Sequence, residues 1–288
     1  MSARGIVVGY DRSPGARAAV AWALDEAART GTPVEFLFAY QWPTWSPSTT
    51  PLSAAIWPGG DTDHAIKNML HDVVTAARHT HPGVPTTVST VSTGAARPLI
   101  DRSAQARLIV LGSREHSPVA GLIGSVTAAV TTHAHCPVIV VHDTPAATAP
   151  IIAGIDDSPS AATTLAFAAD QATARGVPLR VIRVWPPTSG IRADSRPATR
   201  TVPARERQPF DDLVASFRDK YPHIDISAEA VIDHPTTALT QAGSSAQLLV
   251  VGNHGHGTVR GILLGSISQH LLRHCACAVA VVPDTTQP

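Results

Sequence analysis

Short apolar runs alternate with amphipathic patterns of helical period along the whole chain. Runs such as Leu108–Leu111 are apolar throughout, which is typical of strands in a parallel sheet that helices cover on both faces. The alternation predicts βαβ units. In the first half the predicted strands are 5–10, 34–40, 86–92, 107–112 and 137–142, and the predicted helices are 14–30, 61–80, 95–105 and 124–134. In the second half the predicted strands are 150–155, 179–184, 225–232, 248–252 and 278–283, and the predicted helices are 159–175, 208–221, 235–245 and 265–274.

Local signals mark the ends of two of these helices. Ser13 and Ser158 each precede a proline, which predicts an N-cap residue followed by Pro in the first turn. Gly31 and Gly176 follow the same two helices and predict their C-terminal stops.

The second half is a copy of the first. A repeat of this length indicates two similar domains, because solenoid repeats span only about 20–50 residues. We place the domains at residues 1–146 and 149–288, joined by a linker rich in Ala, Thr and Pro. The matching segments are Val8–Pro14 with Ala153–Pro159, Gly31–Val34 with Gly176–Leu179, Ala106–Gly112 with Ala246–Gly252, Gly124–Ser125 with Gly265–Ser266, and Val138–Val141 with Val279–Val282.

A glycine-rich loop follows the predicted strand 248–252. Its spacing is Gly252, two residues, Gly255, nine residues, then Gly265 and Ser266 at the start of the next predicted helix. Glycine is needed where the backbone takes a positive φ or approaches a ligand closely. The unpaired amides of such a loop and the helix dipole together favour a phosphate group. The loop lacks the lysine of a Walker A motif, and a tight turn without a ligand is the alternative interpretation.

This spacing resembles the nucleotide motif of the universal stress proteins, in their ATP-binding branch. The resemblance covers the whole chain, since both halves carry the same unit. It implies an α/β fold of two tandem sandwich domains, each with a five-stranded parallel sheet of Rossmann-like type. It also implies that ATP lies across the ends of the first, second and fourth strands of the second half, with Mg²⁺ bridging the phosphates.

The resemblance assigns roles to individual residues of the second half. Asp156 matches the acid near the ribose, where a carboxylate accepts strong hydrogen bonds; the alternative is an acid of the turn before the helix. Val184 matches the position that meets adenine. His254, with His256, can lie beside the phosphates, be exposed on the loop or bind a metal. The other matching positions are Val251 and Gly252 at the strand end, Gly255 in the loop, and Gly265, Ser266 and Ile267 at the phosphates.

The first half departs from this motif. Glu115 stands where the second glycine is expected, only eight residues separate it from Gly124, and Pro118 removes a backbone donor. A glutamate at this place repels phosphate. We therefore predict a weak or empty second site; the alternative is a shifted loop in which Arg114 supplies positive charge. The positions that keep the pattern are Asp11, Gly112, Gly124 and Ser125.

Composition narrows the class of protein only a little. The 288 residues carry a formal net charge of zero, with a pI near 7.3, so neither nucleic acid nor a membrane surface is indicated as a partner. Cys275 and Cys277 are too close for a C-x-x-C motif, and we expect all three cysteines to be small buried residues. With no signal-peptide pattern at the N-terminus, we expect a cytoplasmic protein with reduced thiols.

The sequence indicates binding rather than catalysis. No Ser-His-Asp set or pair of catalytic carboxylates is recognisable, and no residue stands out as a base for water at the γ-phosphate. We therefore expect an ATP-binding stress-response module with no catalytic residue. The alternatives are a slow ATPase on the same fold and a nucleotide-independent module that binds an unknown protein partner.

The last strands of the two halves, 137–142 and 278–283, are both apolar. Apolar strand edges are usually covered, and the family resemblance implies antiparallel contact of these edges. We therefore expect the two domains to form an intramolecular pseudo-dimer, and a homodimer of whole chains stays open.

Overall fold

The first half alternates five strands with four helices in the part of the chain that the computed structural model describes. The described residues are 4–40, 61–113, 123–142, 147–187, 202–253 and 264–284. In chain order the elements are β1 (Ile6–Tyr10), α1 (Pro14–Thr30), β2 (Val34–Ala39), α2 (Asp61–Thr80), β3 (Thr86–Val91), α3 (Ala96–Ser103), β4 (Leu108–Gly112), α4 (Ser125–His133) and β5 (Val138–Val141).

The second half repeats this order. Its elements are β6 (Ile151–Ile155), α5 (Ala161–Arg175), β7 (Leu179–Trp185), α6 (Ala204–Lys220), β8 (Ile226–Ile232), α7 (Pro235–Gly243), β9 (Leu248–Gly252), α8 (Ser266–His274) and β10 (Ala278–Val282). Every predicted strand and helix is confirmed, and the ends differ by at most two residues except at the start of α6. None of the described helices combines the length and the hydropathy that a bilayer span requires.

The predicted start of α6 at residue 208 is wrong. That prediction placed Pro209 in the first turn, where proline is common, but the helix begins at Ala204 and contains Pro209. A proline inside a helix removes one hydrogen bond to the preceding turn. Here Arg207 Nε donates to both carboxylate oxygens of Asp211, at 3.0 and 2.9 Å, and this side-chain link spans the turn that contains the proline.

The first helix of each half ends as predicted. Gly31 and Gly176 follow α1 and α5 with the same left-handed φ of 64°, a conformation that costs glycine little. At the start of α1, the Ser13 hydroxyl accepts a hydrogen bond from the amide of Ala16 at 3.0 Å. This confirms the predicted N-cap of α1.

The corresponding prediction, an N-cap at Ser158, is wrong. The Ser158 hydroxyl instead hydrogen-bonds to the hydroxyl of Ser160 at 2.9 Å, and α5 begins only at Ala161. The reason lies at the residue that matches Ser160 in the first half, Gly15. A Cβ atom on Gly15 would lie 2.2 Å from the carbonyl oxygen of Ser113, so a residue with a side chain cannot seat the helix start in the same way.

All ten described strands form one sheet, in the order β3-β2-β1-β4-β5-β10-β9-β6-β7-β8. Pairs within each half are parallel. The halves join through β5 and β10, which pair antiparallel with Val140 opposite Val279 and Ile139 opposite Ala280. This confirms the predicted contact between the last strands.

The helices cover the two faces of the sheet differently. On one face, α1, α2, α5 and α6 share a single apolar cluster to which both halves contribute, from Ile6 to Val282. On the other face, α3 and α4 pack around Leu99, and α7 and α8 pack around Leu271, in two separate clusters. The first face therefore unites the halves in one cluster. On the second face the two clusters stay separate, and Val140 of β5 is the first-half residue buried in the cluster around Leu271.

A buried ion pair also crosses the junction between α1 and α5. The Glu26 side chain is 0% exposed, and its Oε1 accepts a hydrogen bond from Gln171 Nε2 at 2.9 Å. Its Oε2 lies 3.0 Å from the guanidinium of Arg175, whose side chain is 5% exposed. The Arg175 guanidinium also lies over the ring of Trp22, 5.3 Å from its centroid. Charges this deeply buried require partners, and here each half supplies one.

Candidate functional site

A cavity of about 590 Å³ opens at the carboxyl ends of the strands in the second half. It lies where β6 is flanked by β7 on one side and β9 on the other. The chain leaves β6 through α5 toward β7, so the direction of strand winding reverses between β6 and β9. Doubly wound sheets bind ligands at this reversal, outside the carboxyl ends of the strands. The fold therefore predicts a ligand site here independently of any motif.

One wall of the cavity is apolar. Ile182 and Val184 of β7, Leu239 of α7 and Val251 of β9 line it. Gly154 of β6 lets this wall close, because a Cβ atom there would lie 2.9 Å from the Leu239 side chain. An apolar wall of this kind suits one face of an aromatic ring.

Asp156 lies at the end of β6, on the rim of the same cavity. Its Oδ1 accepts a hydrogen bond from the Ser158 amide at 3.0 Å, and Asp11 makes the same contact with the amide of Ser13 in the first half. The turn role that we left open for Asp156 is thus present. A carboxylate can accept several hydrogen bonds, so this turn and a contact with a ligand hydroxyl are compatible.

The neighbouring acid, Asp157, is engaged elsewhere. It forms an ion pair with Arg183, a residue that is 9% exposed. The Arg183 guanidinium lies 4.2 Å from the ring centroid of Trp185. Asp157 therefore balances a buried cation in the sheet, whereas Asp156 lines the cavity.

The N-terminus of α8 forms the polar end of the cavity. Gly265 is the N-cap, with φ −57° and ψ 144°, and the first intrahelical hydrogen bond runs from the Gln269 amide to the Gly265 carbonyl at 2.9 Å. The amides of Ser266, Ile267 and Ser268 precede that bond and have no acceptor within the helix. Together with the helix dipole they favour an anion.

Hydrogen bonds hold the two ends of the glycine-rich loop together. The Asn253 amide donates to the Val282 carbonyl, and the Asn253 carbonyl accepts from the Gly265 amide, both at 2.9 Å. The Ser268 hydroxyl donates to the Gly252 carbonyl at 2.7 Å. The end of β9 and the start of α8 are therefore fixed against each other, as a preformed anion site requires.

Seven of the nine predicted positions surround this one cavity. They are Asp156, Val184, Val251, Gly252, Gly265, Ser266 and Ile267. The other two, His254 and Gly255, lie outside the described residues. The sequence prediction missed the hydroxyl residues of the α5 start, Ser158, Ser160 and Thr164, which also line the cavity.

The first half contains a corresponding cavity of about 880 Å³. All four positions predicted for a weaker site, Asp11, Gly112, Gly124 and Ser125, line it. Gly124 caps α4 with φ −57° and ψ 141°, almost the same angles as Gly265. Glu115 and Pro118, which carry the prediction of a damaged site, lie outside the described residues, so the prediction of weak binding stays a prediction.

The described residues also bear on metal binding. They include no group of three or more His, Cys, Asp or Glu side chains arranged to hold an ion. Mg²⁺ keeps several waters and is commonly held by substrate phosphates plus one or two carboxylates.

The fold and cavity define a tandem α/β protein with a doubly wound sheet in each half, and comparison with known proteins identifies its family. The profile of the universal stress protein family matches residues 3–142 and 148–283. A universal stress protein of Mycobacterium tuberculosis is 32% identical over 295 residues, covering 99% of this chain and 98% of the relative. Another, from Mycobacterium bovis, is 31% identical over 290 residues, covering 96% of each. The chain belongs to the universal stress protein family, with two copies of its domain in tandem.

Solved structures show the same fold. The crystal structure of a universal stress protein from Archaeoglobus fulgidus DSM 4304 aligns with a TM-score of 0.72 at 18% identity. The alignment covers 97% of this chain and 98% of that chain. The similarity extends over both halves, so the tandem arrangement is shared as well as the single domain.

Proposed function

We propose that the second half of this universal stress protein binds ATP. The observation that carries the proposal is the convergence of seven predicted positions on one cavity. These positions come from the ends of three strands and the start of one helix, and they span residues 156 to 267. A loop that served only as a turn would not require the apolar wall on β7 or the acid at the end of β6.

The cavity offers a distinct environment for each part of the nucleotide. The apolar wall with Val184 suits adenine, and Asp156 can accept hydrogen bonds from ribose hydroxyls. The amides of Ser266 and Ile267 at the start of α8 suit the phosphates. When bound, Mg²⁺ would supply neutralisation of the phosphate charge, and the protein's share is to position the phosphates at the helix N-terminus.

Calorimetry with the full chain, ATP and Mg²⁺ tests this proposal. We expect close to one nucleotide per chain. The informative variant is Ser266→Glu, because a carboxylate in the first turn stabilises a helix but repels phosphate. The matched control is Ser125→Glu, at the same position of α4. We expect Ser266→Glu to weaken ATP binding by at least about tenfold, or roughly 1.4 kcal/mol, and Ser125→Glu to leave it unchanged.

Two outcomes would contradict the proposal. Equal binding by both variants and the wild type would place ATP elsewhere. Two equal sites per chain would show that the first half is a full site, and the prediction of weak binding there would be wrong.

We propose binding without fast turnover. The rim of the cavity provides Asp156, but that carboxylate is held in the turn by the Ser158 amide, and the other described lining residues carry no ionisable side chain. A slow ATPase is the alternative function. Product analysis of the nucleotide-loaded protein separates the two, since binding alone leaves ATP intact over many hours.

We also propose that the pairing of the two halves within one chain is the working unit. A homodimer of whole chains and a protein partner stay open. Light scattering of the purified chain with and without ATP would test the homodimer directly, with a doubling of mass as its signature.

A further inference from the structure

Two thiols contact each other in the core behind α8. The Sγ atoms of Cys275 and Cys277 lie 3.5 Å apart, and the two residues are 4% and 1% exposed. They belong to the apolar cluster formed by α7, α8 and the second-half strands. Cys275 is the C-cap of α8, and Cys277 directly precedes β10. The pair thus spans the turn between a helix and a strand, with the exposed Ala276 between them.

The space for this pair is absent from the first half. Cys136 matches Cys277, but Ala134 stands where the second half has Cys275. The residue facing this position also changes: Ser103 in α3 corresponds to Gly243 in α7. A Cβ atom on Gly243 would lie 2.3 Å from the Cys275 Sγ. The second half therefore has a thiol where the first has a methyl group, and a glycine that makes room for it.

The contact divides the two thiols into different chemical roles. The hydrogen bond between the two thiols lowers the pKa of Cys275 and raises the pKa of Cys277. By contrast, burial raises the pKa of Cys136 to about 12. Since the thiolate is the reactive form, the lowered pKa favours Cys275 as the attacking thiol, and the Cys277 sulfur lies 3.5 Å from it.

We propose that Cys275 and Cys277 form a reversible disulfide on exposure to a hydroperoxide. The Cys275 thiolate attacks the O–O bond, gains one oxygen as a sulfenic acid and releases hydroxide. The Cys277 sulfur then attacks the Cys275 sulfur, the S–O bond breaks and the oxygen leaves as water once it takes up the Cys277 proton. In sum, two thiols and one hydrogen peroxide give one disulfide and two waters.

The movement that this reaction requires is small and local. The sulfur atoms must approach from 3.5 Å to about 2 Å. Burial excludes bulky oxidants, and the exposed Ala276 between the two cysteines places the pair one residue from the surface. Cys136 has similar burial and no neighbouring thiol among the described residues, so it serves as an internal control.

Peptide mass spectrometry of the full chain tests the proposal. Cleavage after Arg273 releases both cysteines on one peptide, and Cys136 lies on another. The reduced protein is treated with hydrogen peroxide, denatured, alkylated and digested. We expect the double-cysteine peptide to lose two hydrogens and take up no alkyl group. Reduction before alkylation should restore both alkylation sites, and the Cys136 peptide should stay alkylated throughout.

Variants make the test specific. Cys275→Ser should abolish the disulfide and leave Cys277 alkylated. Gly243→Ala should displace the Cys275 sulfur and slow disulfide formation. Its control is Gly83→Ala, since a Cβ atom on Gly83 meets nothing within 4 Å. Two alkyl groups on the double-cysteine peptide after peroxide, or oxygen adducts on both sulfurs without a disulfide, would overturn the proposal. Equal rates in the two glycine variants would show that the Gly243 space has no part in it.

Discussion

Replacing Glu26 by alanine removes the carboxylate that joins α1 to α5, on the face of the sheet where both halves share one apolar cluster. Glu26 Oε1 accepts from Gln171 at 2.9 Å, and Oε2 lies 3.0 Å from Arg175 and 3.2 Å from Arg29. In Glu26→Ala, the Gln171 amide loses its acceptor and Arg175 loses its counter-ion. Arg175 keeps the hydrogen bond to Gln171 Oε1 at 2.6 Å and its place over Trp22.

The cost follows from the burial of these groups. Breaking a buried ion pair by removing one partner costs about 3–5 kcal/mol, because the remaining charge stays uncompensated. The Arg175 side chain is 5% exposed, which places it in this regime, whereas Arg29 is 33% exposed and can be hydrated instead. The contacts that Arg175 retains recover part of the loss, so we expect about 3 kcal/mol, the low end of that range.

Urea denaturation followed by tryptophan fluorescence measures this loss, since Trp22 lies beside Arg175. The control is Asp101→Ala, which breaks the exposed pair between Arg97 and Asp101, with side chains 83% and 59% exposed. Exposed pairs contribute roughly 0–1 kcal/mol, so the control should change stability little. If Glu26→Ala and Asp101→Ala lower the free energy of unfolding by the same small amount, the buried pair does not hold the halves together.

Two further predictions concern the sheet and the site. Val281→Asp should destabilise the joined halves strongly or separate them, because it buries a charge on a residue that is 1% exposed. The control is Thr87→Asp, which changes an exposed residue of the outer strand β3. If the two variants unfold at the same urea concentration, the pairing of β5 with β10 does not hold the halves together. Asp156→Ala should weaken ATP binding by roughly 1.5–3 kcal/mol, the value for a hydrogen bond to a charged group, and Asp11→Ala should not. Equal small effects in calorimetry would mean that Asp156 only holds the turn.

Much of the fold could be predicted because its signals are local. Apolar runs marked the strands, Gly31 and Gly176 marked helix ends, and the repeat brought matching residues to matching places. The failures arose where a local signal met a tertiary constraint. Ser158 and Pro159 have the pattern of a helix start, yet Ser160 differs from Gly15 and displaces the start of α5.

The candidate site was predictable in outline but not in its supporting contacts. A motif names the residues that face a ligand, and the strand order then brings them together. Ser268 and Asn253, which fix α8 against the end of β9, act through backbone partners that the sequence does not reveal. Only their positions in the sequence were available as a signal: Asn253 follows Gly252, and Ser268 lies two residues after Ser266.

The junction shows why the two halves are not interchangeable copies. Ile139 pairs with Ala280, its own counterpart in the repeat, and Glu26 faces Gln171, which is also its own counterpart. The pseudo-twofold axis therefore passes beside both contacts. Two first halves joined in this way would bring two glutamates together in a buried place, where like charges repel strongly. Replacing one by glutamine turns that repulsion into a hydrogen bond, and Arg175, which occupies the position of Thr30 in the first half, neutralises the remaining charge. The divergence of the halves at this junction thus selects the pairing within one chain over the pairing of two identical halves.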